Sequence, residues 1–291
     1  MGGKTMQLRR FSDPREFLQY AEAFLMQREA EHNLILGLTN TLIHDPEVYP
    51  QFYLAVVEDA GKIALIAIRT PPHNLIISHV THPDALSVLA NDVQSAYGIL
   101  TGIIATVSIG KTFADLWQTI TRQPYRLNMR ERIYQLSHVN PVTGIPGTFR
   151  VATPDDRLLL IQWFAAFRQE AMGVVDNSDV PQLVDRYFVS ETRKMYLWEH
   201  DGEVVSMAGR GGPTSNGIRI GPVYTPPESR KKGYASACVA ALSQLQLDTG
   251  RKFCFLYTDL SNPTSNHIYQ EIGYEPICDV DEYRFDDPVN S

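Results

Sequence analysis

The chain has 291 residues, enough for one large domain or two of ordinary size. Hydrophobic residues make up 44% and charged residues 20%, the balance of an ordinary globular protein. With 26 Lys and Arg against 33 Asp and Glu, the formal charge is −7, which excludes the broad basic field of a nucleic-acid binder.

The opening Met1–Phe11 has no apolar stretch of the kind a secretory signal needs, and Met6 stands where myristoylation requires Ser or Thr. Ser12-Asp13-Pro14 caps a predicted helix with Phe17, Leu18, Ala21, Phe24 and Leu25 on one face. Asn33–Ile43 is a second helical stretch. Strands are predicted over 52–58, 62–69 and 74–80, the first two joined by a hairpin turn at Asp59-Ala60-Gly61. Helix over 83–97, strand over 102–108, helix over 111–122 and an extended segment over 125–138 complete the first half. The run 140–147 holds two prolines and two glycines and reads as a linker. The pattern then restarts: strand 149–152, helices to about 171 and over 180–189, strands 194–199, 203–209 and 217–224, helix 230–249, strand 253–258, helix 263–272 and strand 275–285. The two halves give roughly the same order, which suggests a duplicated α/β unit. Cys238, Cys254 and Cys278 are widely spaced and lack any CxxC, so buried reduced thiols are expected and a disulfide framework or structural zinc site is not. No apolar run approaches the ~20 residues that cross a bilayer. A cytoplasmic protein with no membrane partner is expected.

The chemistry concentrates in two stretches. In 220–236 a strand ends at Tyr224-Thr225, a short turn follows, and a helix starts near Lys231. Unpaired amides of a first helical turn, the helix dipole, the permissive Gly233, the small Ala235 and the basic Arg230-Lys231-Lys232 together suit a diphosphate. A solvated helix start with a permissive glycine would read the same way. In the second stretch, strand 253–259 leads through Asn262-Pro263 into a helix carrying Tyr269 and ending at Gly273-Tyr274.

These two stretches resemble the GNAT superfamily of acyl-CoA N-acyltransferases. Arg230-x-x-Gly233-x-Ala235 is similar to the family's pyrophosphate loop, and Asn262…Tyr269…Gly273-Tyr274 to its Asn-x₆-Tyr-x₃-Gly-Phe/Tyr segment. The likeness spans roughly 149–285. It implies an α/β fold (α+β, mixed sheet) of two acyl-CoA N-acyltransferase-like domains: 1–139, degenerate and without the loop; a linker, 140–148; and 149–291 with the intact motif. It implies acetyl-CoA as co-substrate, no metal, and a small-molecule or peptide amine as acceptor; a homodimer is compatible. Main-chain groups of Val223, Tyr224 and Thr225 would bond the pantetheine arm. Amides and side chains of Arg230, Lys231, Lys232, Gly233, Tyr234, Ala235 and Ser236 would hold the pyrophosphate, and Asn262 would lie near the thioester. Tyr269 would be the general acid, since a phenol titrating near ~10 can donate to a thiolate near ~8.5. Asp259 is the first candidate for general base; a loop residue or helix cap fits it equally. Arg210 and Arg219 lie near the strands that would border the acceptor cleft; they read by default as exposed strand arginines, with an acidic substrate as the other reading.

Two further patterns are weighed and set aside. Gly110-Lys111-Thr112 after strand 102–108 fits a relaxed phosphate loop, but Thr106, Val107 and Ile109 are β-branched where such a loop needs glycines. His79 and His82 lack a clear third ligand and read as surface residues. Three functions follow in order of support: an N-acetyltransferase, a CoA-binding sensor or scaffold without turnover, and a nucleotide hydrolase.

Overall fold

Capping and turn chemistry set the element boundaries in the computed structural model, which describes residues 6–287. Strand β1 (Gln7–Phe11) precedes helix α1 (Pro14–Leu25), where Asp13 caps the helix by accepting the Arg15 amide at 2.8 Å and Phe17, Ala21 and Leu25 are buried. There follow α2 (Asn33–His44), β2 (Tyr53–Asp59), β3 (Lys62–Arg69), β4 (Leu75–Ile77), α3 (Ala85–Tyr97), β5 (Gly102–Thr106), α4 (Val107–Thr121) and β6 (Tyr125–Leu136). The second half comprises β7 (Thr148–Val151), α5 (Arg157–Met172), α6 (Val180–Val189), β8 (Lys194–His200), β9 (Glu203–Gly211), β10 (Gly217–Tyr224), α7 (Tyr234–Asp248), β11 (Phe253–Asp259), α8 (Pro263–Ile272) and β12 (Glu275–Phe285).

The order of elements is identical in the two halves. Even the hairpins agree: Ala60 and Gly61 take φ of 51° and 77°, and Asp201 and Gly202 take 54° and 78°. Two successive positive φ values mark the tight turn that matches the twist of antiparallel strands. Strand β1 has no counterpart in the predicted elements. Its two arginines hide the alternation, and it is defined by antiparallel pairing with β2, from Gln7 opposite Glu58 to Phe11 opposite Leu54.

The described residues fall into two compact units. The first takes those of Met1–Ile133, Tyr257–Asn262 and Pro276–Ser291; the second takes Tyr134–Leu256 and Pro263–Glu275. In the first, β1, β2, β3 and β4 pair antiparallel in sequence, β4 pairs parallel with β5, and β12 runs antiparallel to β5 with Val280 opposite Thr106. One face buries Leu65, Ile103, Phe113, Trp117, Tyr283 and Phe285 with α3 and α4; the other buries Phe17, Leu25, Leu36, Leu54, Ile66 and Ile68 with α1 and α2. The sequence reading drew the second domain as 149–291, whereas the chain's last strand packs in the first unit, because Tyr283 and Phe285 belong to that core.

In the second unit β7, β8, β9 and β10 are antiparallel and β10 is parallel to β11. Helix α7 buries Cys238, Val239 and Leu242 with Tyr196, Ile218, Ile220 and Leu256, while α5 and α6 bury Leu160, Trp163, Phe164 and Val184 with Met195, Leu197 and Met207. Burial on both faces is what lets such strands read as near-continuous apolar runs. The fold class is α/β with mixed strand directions. Cys238 and Cys254 are buried free thiols, and burial pushes Cys254 up to about 12. The segment read as a linker is tied to the second unit: the Asn140 amide donates to the Ile272 carbonyl at 2.8 Å and Trp198 Nε1 to the Pro146 carbonyl at 3.0 Å.

Candidate active site

Strand β10 carries the site. Its parallel pairing with β11 covers only Gly217–Arg219 against Phe253–Phe255, and β10 then runs on to Tyr224 without that neighbour. On its other side the register with β9 shifts between Ile220 and Val223, a bulge in which Gly221 takes φ 142°. That conformation is open to glycine and strained for any other residue. The consequence is a stretch of β10 edge, including Val223 and Tyr224, whose main chain is not committed to β11.

After Thr225 the chain turns through Pro227–Ser229 and reaches helix α7 only at Tyr234. The sequence reading had the helix run from 230 to 249; it runs from Tyr234 to Asp248. The reason is local: Lys231 and Gly233 take φ of 62° and 82°, values that a right-handed helix excludes. The first intrahelical bond goes from the Ala237 amide to the Gly233 carbonyl at 3.0 Å, so the amides of Tyr234, Ala235 and Ser236 precede it, and no side chain caps them. Such amides, backed by the helix dipole, form an anion seat. Lys231 and Lys232 are exposed beside it.

The named side chains divide in what they do. Arg230 clamps the turn: Nε donates to the Thr225 carbonyl at 2.9 Å and Nη2 to Glu170 at 2.6 Å. Tyr234 turns its ring away, and its hydroxyl bonds His200 Nδ1 at 2.8 Å, so only its amide serves the seat. A β-carbon on Gly233 would lie 2.4 Å from Ile145 Cδ1. The glycine is therefore required by the chain itself, through its backbone angle and through Ile145. Neither Ile145 nor Glu170 is marked by any sequence signal, because both reach the loop from remote segments.

Tyr269 sits on α8, which packs on α7. Both Tyr269 and Val223 lie against the core cluster of Cys238, Ile220 and Tyr274, and the Tyr269 ring meets that of Tyr274 edge-on at 6.0 Å. Burial pushes the Tyr269 phenol up to about 12. Helix α8 is seated by Tyr134, whose hydroxyl donates to Asn266 Oδ1 at 3.0 Å and accepts from Gln270 at 3.3 Å. Asp259 and Asn262 belong to the other unit's segment. There Asp259 accepts from the Ser261 amide and the Ser261 hydroxyl, both at 2.7 Å, while the Asn262 amide donates to the Asp259 carbonyl at 3.0 Å. The carboxylate read as first candidate base thus closes a turn.

The set-aside motifs resolve locally. Ser108–Thr112 lies within α4, which begins at Val107 rather than at Gly110, and Lys111 bonds Asp115 at 2.6 Å and the Tyr125 hydroxyl at 2.9 Å. The His79 amide donates to His32 Nε2 at 3.0 Å, which leaves Nδ1–H of His32 to donate to the Leu25 carbonyl at 2.9 Å. Among the described residues no three His, Cys, Asp or Glu side chains gather as a metal set, and no helix is long and apolar enough to cross a membrane.

A strand that parts from its parallel neighbour, bulges, and hands the chain to an uncapped helix mouth is the frame of the candidate site. Residues 159–274 match the acetyltransferase (GNAT) family model. Three solved structures extend the likeness to the whole chain. A Drosophila protein has TM-score 0.69 at 13% identity over 97% of this chain and 98% of its own. A GCN5-related N-acetyltransferase from Sphaerobacter thermophilus has 0.62 at 13% over 98% and 96%. A tandem GNAT protein from the clavulanic acid biosynthesis pathway has 0.60 at 12% over 99% and 100%. The chain has the tandem GNAT fold. No curated protein sequence matches it. Family and fold support acyl transfer in general.

Proposed function

We propose that the protein is an N-acetyltransferase that moves the acetyl group of acetyl-CoA directly to a primary amine. The observation that carries this reading is the sequence of features along β10: strand edge freed from β11, bulge at Gly221, and the uncapped mouth of α7. The diphosphate of the co-substrate would be held by the amides of Tyr234, Ala235 and Ser236 with Lys231 and Lys232 nearby; the freed edge of β10 would pair with the pantetheine amides. The neutral amine attacks the thioester carbon, the C–S bond breaks with its electron pair going to sulfur, and the amine's proton passes to water as the thiolate departs. Holding the two reactants in line supplies most of the acceleration.

Tyr269 would serve the departing sulfur. Its phenol is pushed up to about 12, so full proton transfer to a thiolate near ~8.5 would be uphill by roughly 5 kcal/mol. The role this favours is hydrogen-bond donation to the developing thiolate rather than complete proton loss. Tyr269→Phe should then lower kcat about 10- to 100-fold and leave acetyl-CoA affinity within a factor of two or so, as read by thiol release and by calorimetry. An unchanged kcat would remove Tyr269 from the reaction. Because the phenol stays protonated through the working range, kcat/KM should rise with pH as the amine deprotonates and show no Tyr269-dependent fall up to pH ~10.

A further inference from the structure

Helix α8 presents Tyr269 with little apolar burial of its own. Ile272 is its one buried residue, and Ile268 and Tyr269 are partly covered by the core around Cys238, Ile220 and Tyr274. Polar bonds from residues 134–140, in the same unit, add to this hold. At the C-terminal end the Asn140 amide donates to the Ile272 carbonyl at 2.8 Å and Asn140 Nδ2 to the Glu271 carbonyl at 3.1 Å, which fills carbonyls that a helix end leaves open. The chain passes close by: a β-carbon on Gly273 would lie 2.7 Å from the His138 carbonyl oxygen. These contacts fix where α8 ends. They grip main-chain atoms near the helix axis, where they have little leverage against rotation about it.

Rotation is resisted by Tyr134 of β6. This residue is fully buried, and its hydroxyl donates to Asn266 Oδ1 at 3.0 Å while accepting from Gln270 Nε2 at 3.3 Å. Asn266 and Gln270 are one turn apart and share a face of α8, and Tyr269 projects from the neighbouring face, about 80° round the helix. A hydroxyl bonded to both ends of one helical turn fixes the roll of that turn. The roll decides where the Tyr269 side chain points, since about 10° of rotation moves an atom roughly 6 Å from the axis by about 1 Å. A hydrogen bond weakens steeply off its line, and a misplacement of about 1 Å can cost up to ~100-fold in rate. A phenylalanine at 134 would fill the same space; the hydroxyl adds the hold on α8. We infer that Tyr134 is a positioning residue: through Asn266 and Gln270 it sets the roll of α8 and so aims the Tyr269 hydroxyl at the departing sulfur. This rests on the acetyl-transfer reading in which Tyr269 donates to that sulfur.

The test needs no acceptor. The full chain carries tyrosine isotope-labelled at Cζ for NMR, and the probe is CoA itself at pH ~9.5, where a thiol near ~8.5 is mostly thiolate and the Tyr269 phenol, pushed up to about 12, keeps its proton. The Tyr269 signal is the one missing from Tyr269→Phe. Saturating CoA should move that signal in the wild-type protein. In Tyr134→Phe it should move about half as far or less, because the bond to sulfur is off its line, and in Gln270→Ala it should move by an intermediate amount. Calorimetry should find CoA affinity in both variants within about twofold of wild type. Gln270 is exposed, so its variant keeps the core and decides the matter even where Tyr134→Phe does not fold. A tyrosine that only stabilises the fold would lower the urea midpoint and leave the movement unchanged; full wild-type movement in either folded variant overturns the positioning role alone. A wild-type protein that binds CoA without any movement of the signal loses the Tyr269 role and this inference with it, and one that binds no CoA loses the acetyl-transfer reading itself.

Discussion

Gly233 shows how one position can carry two demands. Its φ of 82° costs an L-residue ~1–2 kcal/mol, and Ile145 Cδ1 stands 2.4 Å from where a β-carbon would go. Gly233→Ala should lose about 1–3 kcal/mol of stability. The double variant with Ile145→Ala should recover the steric part and not the backbone part, a coupling that urea denaturation of the four forms measures. If the two substitutions simply add, Ile145 is not the constraint. Any loss of CoA affinity in a Gly233 variant therefore has to be read against its stability. The spacing from Arg230 to Ala235 is legible in the sequence because it is local; the packing of Ile145 and the Glu170–Arg230 ion pair at 2.6 Å are not, since they join residues brought together only by folding.

Among the elements, α5 has the most explicit start. Thr153 and Asp156 form a capping box, Arg150 donates to both Asp156 oxygens at 2.8 Å, and its Nε reaches Glu199 at 2.8 Å. The Thr-Pro-Asp-Asp signal is readable from sequence; Arg150 as its partner follows from the pairing of β7 with β8. The guanidinium holds the Asp156 carboxyl below its ordinary value, with the Thr153 amide adding to the effect. A depressed folded-state pKa stabilises above the unfolded value near ~3.9, and the gain disappears as pH falls through the folded value. Asp156→Asn should therefore cost about 0.5–2 kcal/mol at pH 7, and the gap to the wild-type protein should narrow as pH falls below the ordinary carboxylate range. Thermal melts across pH 2–7 read this directly. A gap that stays constant with pH would assign the loss to the cap geometry alone. Helix α7 teaches the complementary lesson: apolar periodicity extended it to 230, and two residues with positive φ delayed it to Tyr234.

For the molecule as a whole, the last strand matters most. β12 completes the first unit by pairing with β5 and placing Tyr283 and Phe285 beside Trp117 and Phe113. Phe285→Ala should cost about 3–5 kcal/mol, and limited proteolysis should then cut first within the first unit. Cleavage confined to the second unit would contradict that assignment. Read alone, the sequence already carries the duplicated order of elements, the hairpin turns, the glycine-headed loop and the Asn262–Tyr274 segment. Each of these is written in periodicity, turn chemistry or short spacing, within a few residues of itself. Folding added the partner of the final strand, the restraint on Gly233 and the turn that engages Asp259. Those depend on which distant segments share a core or a sheet face, a choice made by the burial of apolar surface over the entire chain and not by any local stretch of it.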